Sequence, residues 1–407
     1  MKKIIVFLVV VSCLYSCTST PKTVKDGWWR ASLQRADGYT IDFNIEVKTT
    51  DGKPVWSIRN AGERLEVTDI KQEGDSILVQ MPVFESGFYL KITNDTTIEG
   101  KWVRQSSIKE LTLPVTFVYN QPNRYPLTHQ QPAINVTGRW AVNFNTEDDA
   151  VAEFVQNGEI LTGTFLTPTG DYRFLEGTVS GDSLRLSTFD GSHAYFFQAR
   201  IQNDSTLTNG VFCSGPTFKD QWTALKDSAA AIPDTASAVY LKPGQEKLDF
   251  RFPDIDSNMV SINDDRFKNK AVVIQIMGSW CPNCMDETAF ISDYYQNNKQ
   301  RGIEMIALAY EYSTDFQRSQ KGLRKFQQKF NMQYPILVTG VKVSDTLRTE
   351  KTLPQITPIQ MFPTTIFIGK DGKVKKIHTG FNGPGTGEHY EKFKREFEAT
   401  IDELLKG

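Results

Sequence analysis

One short stretch constrains the fold of this chain more than any other: an apolar strand that leads directly into a pair of cysteines. Ala271–Met277 is rich in β-branched residues, which is typical of a strand buried on both faces. A Trp-Cys-Pro-Asn-Cys sequence follows at residues 280–284. Pro282 suits the first turn of a helix, where its missing N–H would have no partner. Cys281 and Cys284 are therefore predicted at a helix N-terminus, where free N–H groups and the helix dipole favour a thiolate.

This cysteine pair is compatible with three kinds of chemistry. Half of a zinc site would need two more ligands, but Cys17 and Cys213 are distant in sequence and the four histidines are scattered. A structural disulfide that closes so short a loop would stabilise the fold little. Thiol–disulfide exchange at Cys281 and Cys284 is therefore favoured. No metal and no organic cofactor are expected.

The N-terminal segment indicates export. Residues 1–16 combine a charged start with a short apolar run, too short to span a bilayer. The run ends in a sequence that resembles a bacterial lipobox, with Ser16 before Cys17, which implies cleavage before Cys17 and lipidation of its thiol. An ordinary secretory signal with an incidental cysteine is the alternative. Both predict a compartment where disulfides persist, and a lipidated Cys17 would anchor the protein to a membrane through a tether over residues 17–26.

The middle of the chain repeats itself. The Gly-Asp pair at residues 74–75 recurs at 181–182, and the Asn-Asp pair at 94–95 recurs at 203–204. Short alternating segments between such turn pairs predict about eight antiparallel strands in each copy, folded as a small barrel or as a sandwich. The net charge of −2 gives no basis for nucleic-acid binding.

The two β copies are assigned to residues 27–120 and 133–227. No charged pair or metal-ligand spacing stands out in them. A docking or spacer role is favoured over small-molecule binding, because small barrels usually fill their interior with their own side chains. Cys213 is flanked by apolar residues and is predicted to be buried and inert, with a redox role as the alternative.

An α/β domain is predicted after a linker at residues 228–243, which are small and include prolines. Residues 244–407 follow the order strand, helix, strand, helix, hairpin, helix. A helix over residues 314–330 is expected to begin with Thr314 as its N-cap. This order is typical of a thioredoxin core with an inserted helix.

Three motifs in this domain resemble the TlpA/ResA-like branch of the thioredoxin superfamily. They are Trp-Cys-Pro-Asn-Cys at 280–284, Met-Phe-Pro-Thr-Thr at 361–365 and Asp-Gly-Lys at 371–373. The resemblance covers residues 244–407 and does not extend to the β copies. It implies a thioredoxin-like fold, membrane tethering outside the cytoplasm, and protein thiols and disulfides as substrates, and it leaves open a membrane-borne electron donor.

The resemblance also implies a substrate-binding surface beside the cysteines. The family has a cis-proline that faces the Cys-x-x-Cys, and Pro363 stands at that position; an ordinary trans proline at the start of an edge strand is the alternative. The backbone of Phe362 would then pair with a substrate strand. Trp280 is assigned to the same surface.

Proton handling is expected to depend on a carboxylate. Gln275 stands where thioredoxin itself has a buried aspartate, and an amide cannot accept the proton of the resolving thiol. The TlpA/ResA-like proteins often carry an acid three residues after the second cysteine, and Glu287 occupies that place, on the helix face of Cys284. Glu287 is therefore the predicted general base, with an ordinary solvated glutamate as the alternative. Asp286 is expected to be a surface residue.

These observations predict an exported, membrane-tethered thiol–disulfide oxidoreductase that reduces protein disulfides. The β copies would hold or position partners in the periplasm or cell envelope. The absence of a positive charge between the cysteines argues against a strong oxidant. A thiol peroxidase is disfavoured because no Thr or Arg flanks Cys281. The other alternative is a cell-envelope binding protein whose β copies capture a ligand, with the redox domain as an accessory.

Overall fold

A computed structural model describes most of the chain. It covers residues 22–106, 109–129, 131–146, 149–232 and 239–406. The signal segment at residues 1–16, the lipidation site Cys17 and the middle of the proposed linker lie outside the described residues. Within the described ranges, no helix is long and apolar enough to cross a bilayer.

The first β unit is a nearly closed antiparallel barrel. Its strands are β1 (Gly27–Gln34), β2 (Thr40–Thr50), β3 (Lys53–Asn60), β4 (Glu63–Val67), β5 (Asp69–Glu73), β6 (Ser76–Gln80), β7 (Ser86–Asn94), β8 (Thr97–Gln105) and β9 (Glu110–Tyr119). The sheet runs β4-β3-β2-β1-β9-β8-β7-β6-β5, so β1 pairs with β9 and, among the described residues, no ladder joins β4 to β5. In β1 the buried residues Trp29, Ala31 and Leu33 alternate with less buried ones, as a strand with one core-facing side requires.

The second β unit is a closed barrel. Its strands are β10 (Gly138–Phe144), β11 (Ala150–Asn157), β12 (Ile160–Thr167), β13 (Gly170–Asp171), β14 (Leu175–Ser180), β15 (Ser183–Phe189), β16 (Ala194–Asn203), β17 (Thr206–Ser214) and β18 (Phe218–Lys226). Pairing of β10 with β18, of β11 with β12 and of β12 with β14 completes the circuit of hydrogen bonds. The prediction of two antiparallel β units is confirmed, and the ladders decide for barrels over sandwiches.

The sequence repeat is also a structural repeat. The indole N–H of Trp29 donates to the carbonyl four residues earlier at 2.9 Å, and that of Trp140 does the same at 2.9 Å. The side chain of Asn94 accepts the backbone N–H two residues later at 2.9 Å, and that of Asn203 does so at 3.0 Å. Equivalent positions therefore carry equivalent turns and anchors in both barrels.

Aromatic rings fill the barrel interiors. In the second unit Phe197 stacks between Phe165 and Phe212, with ring centroids 4.2 and 4.4 Å apart. In the first unit Phe43 stacks at 4.2 Å on Phe189, which belongs to the second unit. The core cluster of the first barrel therefore includes residues of the second, which also has a core cluster of its own.

Cys213 belongs to this shared core. Its side chain is fully buried in the cluster of the first unit although it lies on β17 of the second. Burial raises the pKa of its thiol. A buried thiol with a raised pKa has little reactive thiolate, which agrees with the predicted inert role.

The C-terminal domain has a five-stranded sheet covered on both faces. Its strands are β21 (Ala271–Met277), β22 (Ile303–Ala309), β23 (Ile336–Val338), β24 (Thr364–Ile368) and β25 (Val374–Thr379), and its helices are α1 (Pro282–Asn298), α2 (Phe316–Lys329), α3 (Arg348–Thr352) and α4 (Glu388–Lys406), after the short hairpin β19 (Arg251–Pro253) and β20 (Met259–Ser261). The order is β23-β22-β21-β24-β25, with the fully buried β21 in the centre. Val273 packs in the cluster that contains α1, α2 and α4, whereas Ile274 packs on the opposite face. The predicted thioredoxin-like α/β architecture is confirmed.

One detail of α2 differs from the prediction. The N-cap is Asp315 rather than Thr314, because the Asp315 carboxylate accepts the backbone N–H of Arg318 at 2.9 Å. A carboxylate at this position also interacts favourably with the helix dipole.

Candidate active site

The cysteine pair lies where the central strand gives way to the first helix. β21 ends at Met277, and α1 begins at Pro282 with Cys281 as its N-cap. Cys281 and Cys284 form a disulfide, and the Sγ atom of Cys281 accepts the backbone N–H of Cys284 at 3.1 Å. A sulfur that accepts a backbone N–H at a helix N-terminus is placed where a thiolate is stabilised once the disulfide is reduced.

A buried glutamate holds the loop before the cysteines. Glu311 follows β22, and its carboxylate accepts the backbone N–H of Ser279 at 2.8 Å and the hydroxyl of Ser279 at 2.7 Å. The indole of Trp280 donates to the Tyr310 carbonyl at 2.8 Å. Burial raises the pKa of Glu311 to about 7. Sequence reasoning missed Glu311, and its one signal was an acid at the end of an apolar strand next to the cysteine-bearing strand.

The predicted substrate-binding residues meet on one side of the disulfide. The Phe362–Pro363 peptide bond is cis, as the resemblance implied. The Phe362 carbonyl lies 3.6 Å from the Sγ atom of Cys281. The rings of Trp280 and Phe362 pack edge to face, with centroids 5.4 Å apart. The structure thus brings all three residues together around Cys281.

Glu287 lies beneath the cysteines in a fully buried position. Its carboxylate accepts the amide of Gln275 at 2.8 Å and the hydroxyl of Thr365 at 2.6 Å. The Gln275 amide also approaches the Cys284 carbonyl at 3.4 Å. Burial raises the pKa of Glu287 to about 7, partly offset by these two hydrogen bonds. The alternative of a solvated helix glutamate is therefore wrong, and Gln275 acts as a hydrogen-bond partner of the carboxylate.

The prediction that Asp286 is a surface residue is wrong. Asp286 is buried, and both of its oxygens accept from Arg173 of the second β unit, at 2.7 and 2.8 Å. Arg173 also binds Glu63 of the first unit at 2.5 Å and lies 3.5 Å from Asp190. Burial raises the pKa of Asp286, against the lowering effect of Arg173. The helix face that carries Asp286 meets the β units rather than water.

Both β units reach the redox centre. Val83 and Phe84, in the loop between β6 and β7, are buried in the same apolar cluster as Cys281, Cys284 and Met285. Only 3% of the Cys281 surface and none of the Cys284 surface is exposed. The candidate active site is therefore a junction of three bodies, two barrels and one α/β domain.

The C-terminal domain is similar to known proteins. The Redoxin family model matches residues 242–392. Thiol-disulfide oxidoreductase ResA of Bacillus thuringiensis subsp. konkukian is 26% identical over 153 residues, which is 38% of this chain and 77% of that protein. Its namesake from Bacillus subtilis is 24% identical over 140 residues, or 34% of this chain and 69% of that protein.

Solved structures are similar over the same share of the chain. A thiol-disulfide oxidoreductase from Bacteroides fragilis covers 38% of this chain and 99% of its own length, at 16% identity and a TM-score of 0.29. The thioredoxin domain of a thiol-disulfide oxidoreductase from Bacteroides vulgatus covers 39% of this chain and 99% of its own length, at 20% identity and a TM-score of 0.29.

Proposed function

We propose that this chain, which belongs through its C-terminal domain to the ResA/TlpA-like branch of the thioredoxin superfamily, is a thiol–disulfide oxidoreductase that reduces protein disulfides outside the cytoplasm. The observation that carries the proposal is the Cys281–Cys284 disulfide at the start of α1, with the Phe362 carbonyl beside the outer sulfur. This arrangement combines an activated sulfur, a resolving sulfur and a backbone edge for a substrate strand.

The proposed cycle starts from the reduced enzyme. The Cys281 thiolate attacks one sulfur of a substrate disulfide, so that a mixed disulfide forms and the other substrate sulfur leaves as a thiolate, which takes up a proton. The Cys284 thiolate then attacks the Cys281 sulfur, which releases the second substrate thiol. Two electrons pass to the substrate, and the enzyme ends with the Cys281–Cys284 disulfide. A membrane-borne electron donor would supply two electrons and return it to the dithiol.

Glu287 is the proposed general base for Cys284. A thiol with an ordinary pKa is mostly protonated at neutral pH, so the resolving step needs a proton acceptor. A carboxylate whose pKa is raised to about 7 is matched to that task. The Cys284 carbonyl and Glu287 share the Gln275 amide, which keeps the carboxylate close to the cysteine backbone.

The rest of the chain would bring this chemistry to its partners. Lipidation of Cys17 after removal of residues 1–16 would anchor the protein in the cell envelope, with residues 17–26 as a tether. The barrels would contact substrate or donor proteins, since both units reach the disulfide. Their aromatic interiors do not favour the alternative of small-molecule capture.

Covalent trapping tests the proposal. Cys284→Ala leaves Cys281 able to form mixed disulfides that no second thiol resolves. Cells that carry this variant should accumulate adducts that dithiothreitol releases, and mass spectrometry of the released proteins identifies the substrates. The matched control is Cys281→Ala with Cys284→Ala, which should yield no adducts. Recovery of the same proteins from both strains would overturn the proposal.

A glutathione redox titration of the full-length protein is the second test. The wild type should pass reversibly between dithiol and disulfide at Cys281 and Cys284. The midpoint, compared with those of the trapped partners, gives the direction of electron flow. A pair that stays in one state across the range of buffers would remove the basis for any redox function.

A further inference from the structure

The disulfide of this protein is enclosed. A protein substrate must bring its own sulfur into line with Cys281, yet this residue is only 3% exposed. Residues of the α/β domain enclose it in part, and the rest of the enclosure comes from the two barrels, which we call together the β cover (β1–β18). The way in which the β cover contacts the α/β domain indicates how the site is reached.

The first barrel contributes apolar side chains to the cluster around the sulfurs. Phe84 is 3% exposed and belongs to the same apolar cluster as Cys281 and Met285, and its ring contacts that of His193 of the second barrel with centroids 5.5 Å apart. Val83 and Phe84 are the buried residues of the first barrel in the apolar cluster around the cysteines.

The second barrel covers Asn283, one of the two residues between the cysteines. The backbone of Gly170 is so close to Asn283 that a Cβ atom at position 170 would lie 1.8 Å from the side-chain amide group of Asn283. Next to it, the Asp171 carboxylate accepts the backbone N–H of Gly383 at 2.6 Å. The turn at β13 therefore lies directly on the helix start that a substrate would approach.

Ion pairs link the β cover to the α/β domain. Arg173 joins Glu63 to Asp286 in the buried cluster described above. Nearer the surface, Arg318 of α2 binds Glu85, the residue after Phe84, at 2.7 Å. The boundary with the α/β domain thus includes ion pairs beside the apolar contacts of Val83 and Phe84, whereas the two barrels pack aromatic rings against each other. Domain boundaries that include polar contacts permit relative motion more readily than large apolar ones.

We propose that the β cover moves as one body between a closed state, which is the one seen here, and an open state in which protein disulfides reach Cys281. The pairs Arg173–Asp286 and Glu85–Arg318 hold the closed state. This inference rests on the proposed function, because it concerns access to the same two sulfurs. It predicts that reduced protein in the closed state excludes large reagents from Cys281.

Alkylation of the reduced full-length protein measures access without any turnover. Cys281 is treated either with iodoacetamide or with a maleimide on a polyethylene glycol chain of about 5 kDa. The second reagent is far larger than a single side chain. The Cys281 peptide is then quantified by mass spectrometry. The measured quantity is the rate of the large reagent divided by the rate of the small one. In folded wild-type protein this rate ratio should be far lower than in urea-unfolded protein.

Charge reversal on α2 supplies the perturbation. Both Arg318 and Glu85 are partly exposed, so Arg318→Glu replaces attraction by repulsion with little risk to folding. The expected gain in the rate of the large reagent is about fivefold, the most that one exposed pair supplies. Glu85→Arg combined with Arg318→Glu should restore the wild-type rate. Arg324→Glu is the matched control, since it reverses a charge on the same helix but its partner Asp256 lies in the α/β domain.

Two results would overturn the proposal. One is a ratio of large-reagent to small-reagent rates at Cys281 of the wild type that is the same in folded and in urea-unfolded protein. The other is an Arg318→Glu variant that matches Arg324→Glu. The glutathione titration does not depend on either result. Evidence against motion of the β cover is therefore distinguishable from evidence against the redox function.

Discussion

The buried carboxyl of Glu287 makes the stability of the α/β domain depend on pH in a defined way. Replacement by glutamine keeps the shape of the side chain and removes its ionisation. The amide can still accept from Gln275, and Thr365 can rotate its hydroxyl to accept from the new N–H group. The variant is therefore expected to fold and to lose only the pH-dependent part of the wild-type behaviour.

The size of the effect follows from the two pKa values. The pKa of Glu287 is 4.5 in the unfolded chain and is raised to about 7 in the folded protein. Below pH 4.5 both states hold the proton and no cost arises. Between pH 4.5 and 7 the unfolded chain releases the proton first, so the folded state loses stability as the pH rises. Above pH 7 the folding stability is lower than at pH below 4.5 by about 3 kcal/mol. Glu287→Gln does not ionise and therefore avoids this loss.

Hydrogen exchange in Ala271–Met277 measures this difference locally. Amides of the central strand report the opening of the α/β domain even in a protein of several domains. Comparison of the wild type with Glu287→Gln at the same pH cancels the intrinsic pH dependence of exchange. Protection in the variant relative to the wild type should rise about 100-fold between pH 4.5 and pH 8, since 1.4 kcal/mol corresponds to about a factor of ten.

An exposed position supplies the control. Glu398→Gln on α4 removes one carboxylate from solvent and should leave the relative protection unchanged across the same pH range. The reasoning would be refuted if the protection of Glu287→Gln relative to the wild type changed by less than about threefold from pH 4.5 to pH 8. Glu287 would then not be held neutral by burial. Its assignment as a base with a pKa near neutrality would fail as well.

Three further substitutions test other parts of the structure. Arg173→Met leaves its carboxylate partners buried without a cation and should cost about 3–5 kcal/mol in urea unfolding; an unchanged midpoint would contradict the buried network. Phe197→Ala removes the central ring of the second barrel and should cost about 3–5 kcal/mol, measured by thermal unfolding, with Phe218→Ala at a partly exposed site as the control. Asp315→Ala removes the N-cap of α2 and should cost about 1 kcal/mol, whereas Thr314→Ala should cost close to nothing.

Local patterns were sufficient for much of the fold. An apolar β-branched run predicted β21, and Pro282 after it predicted the start of α1. Turn pairs at matching offsets predicted two copies of one β unit. The cysteines at 281 and 284 meet because a helix start brings residues three apart together, so no distant part of the chain is needed for that contact.

Other features depend on pairings that local patterns do not report. Barrel closure requires β10 to pair with β18, and alternation along a strand shows which side is apolar without showing which strand lies beside it. The burial of Glu287 depends on Thr365, 78 residues away. The spacing of Cys284 and Glu287 predicted that they share a helix face. The packing of that face against β24 creates the buried environment that raises the pKa of Glu287.

The amino-acid sequence by itself determined which two sulfurs exchange electrons, because their geometry is set within one turn of helix. Only the tertiary structure decided how exposed those sulfurs are. Asp286 is a charged residue on a helix that mixes polar and apolar side chains, and this pattern is equally compatible with water and with a buried arginine. Its partner Arg173 lies 113 residues earlier in the chain, and the two meet only because the barrels fold back over the redox site.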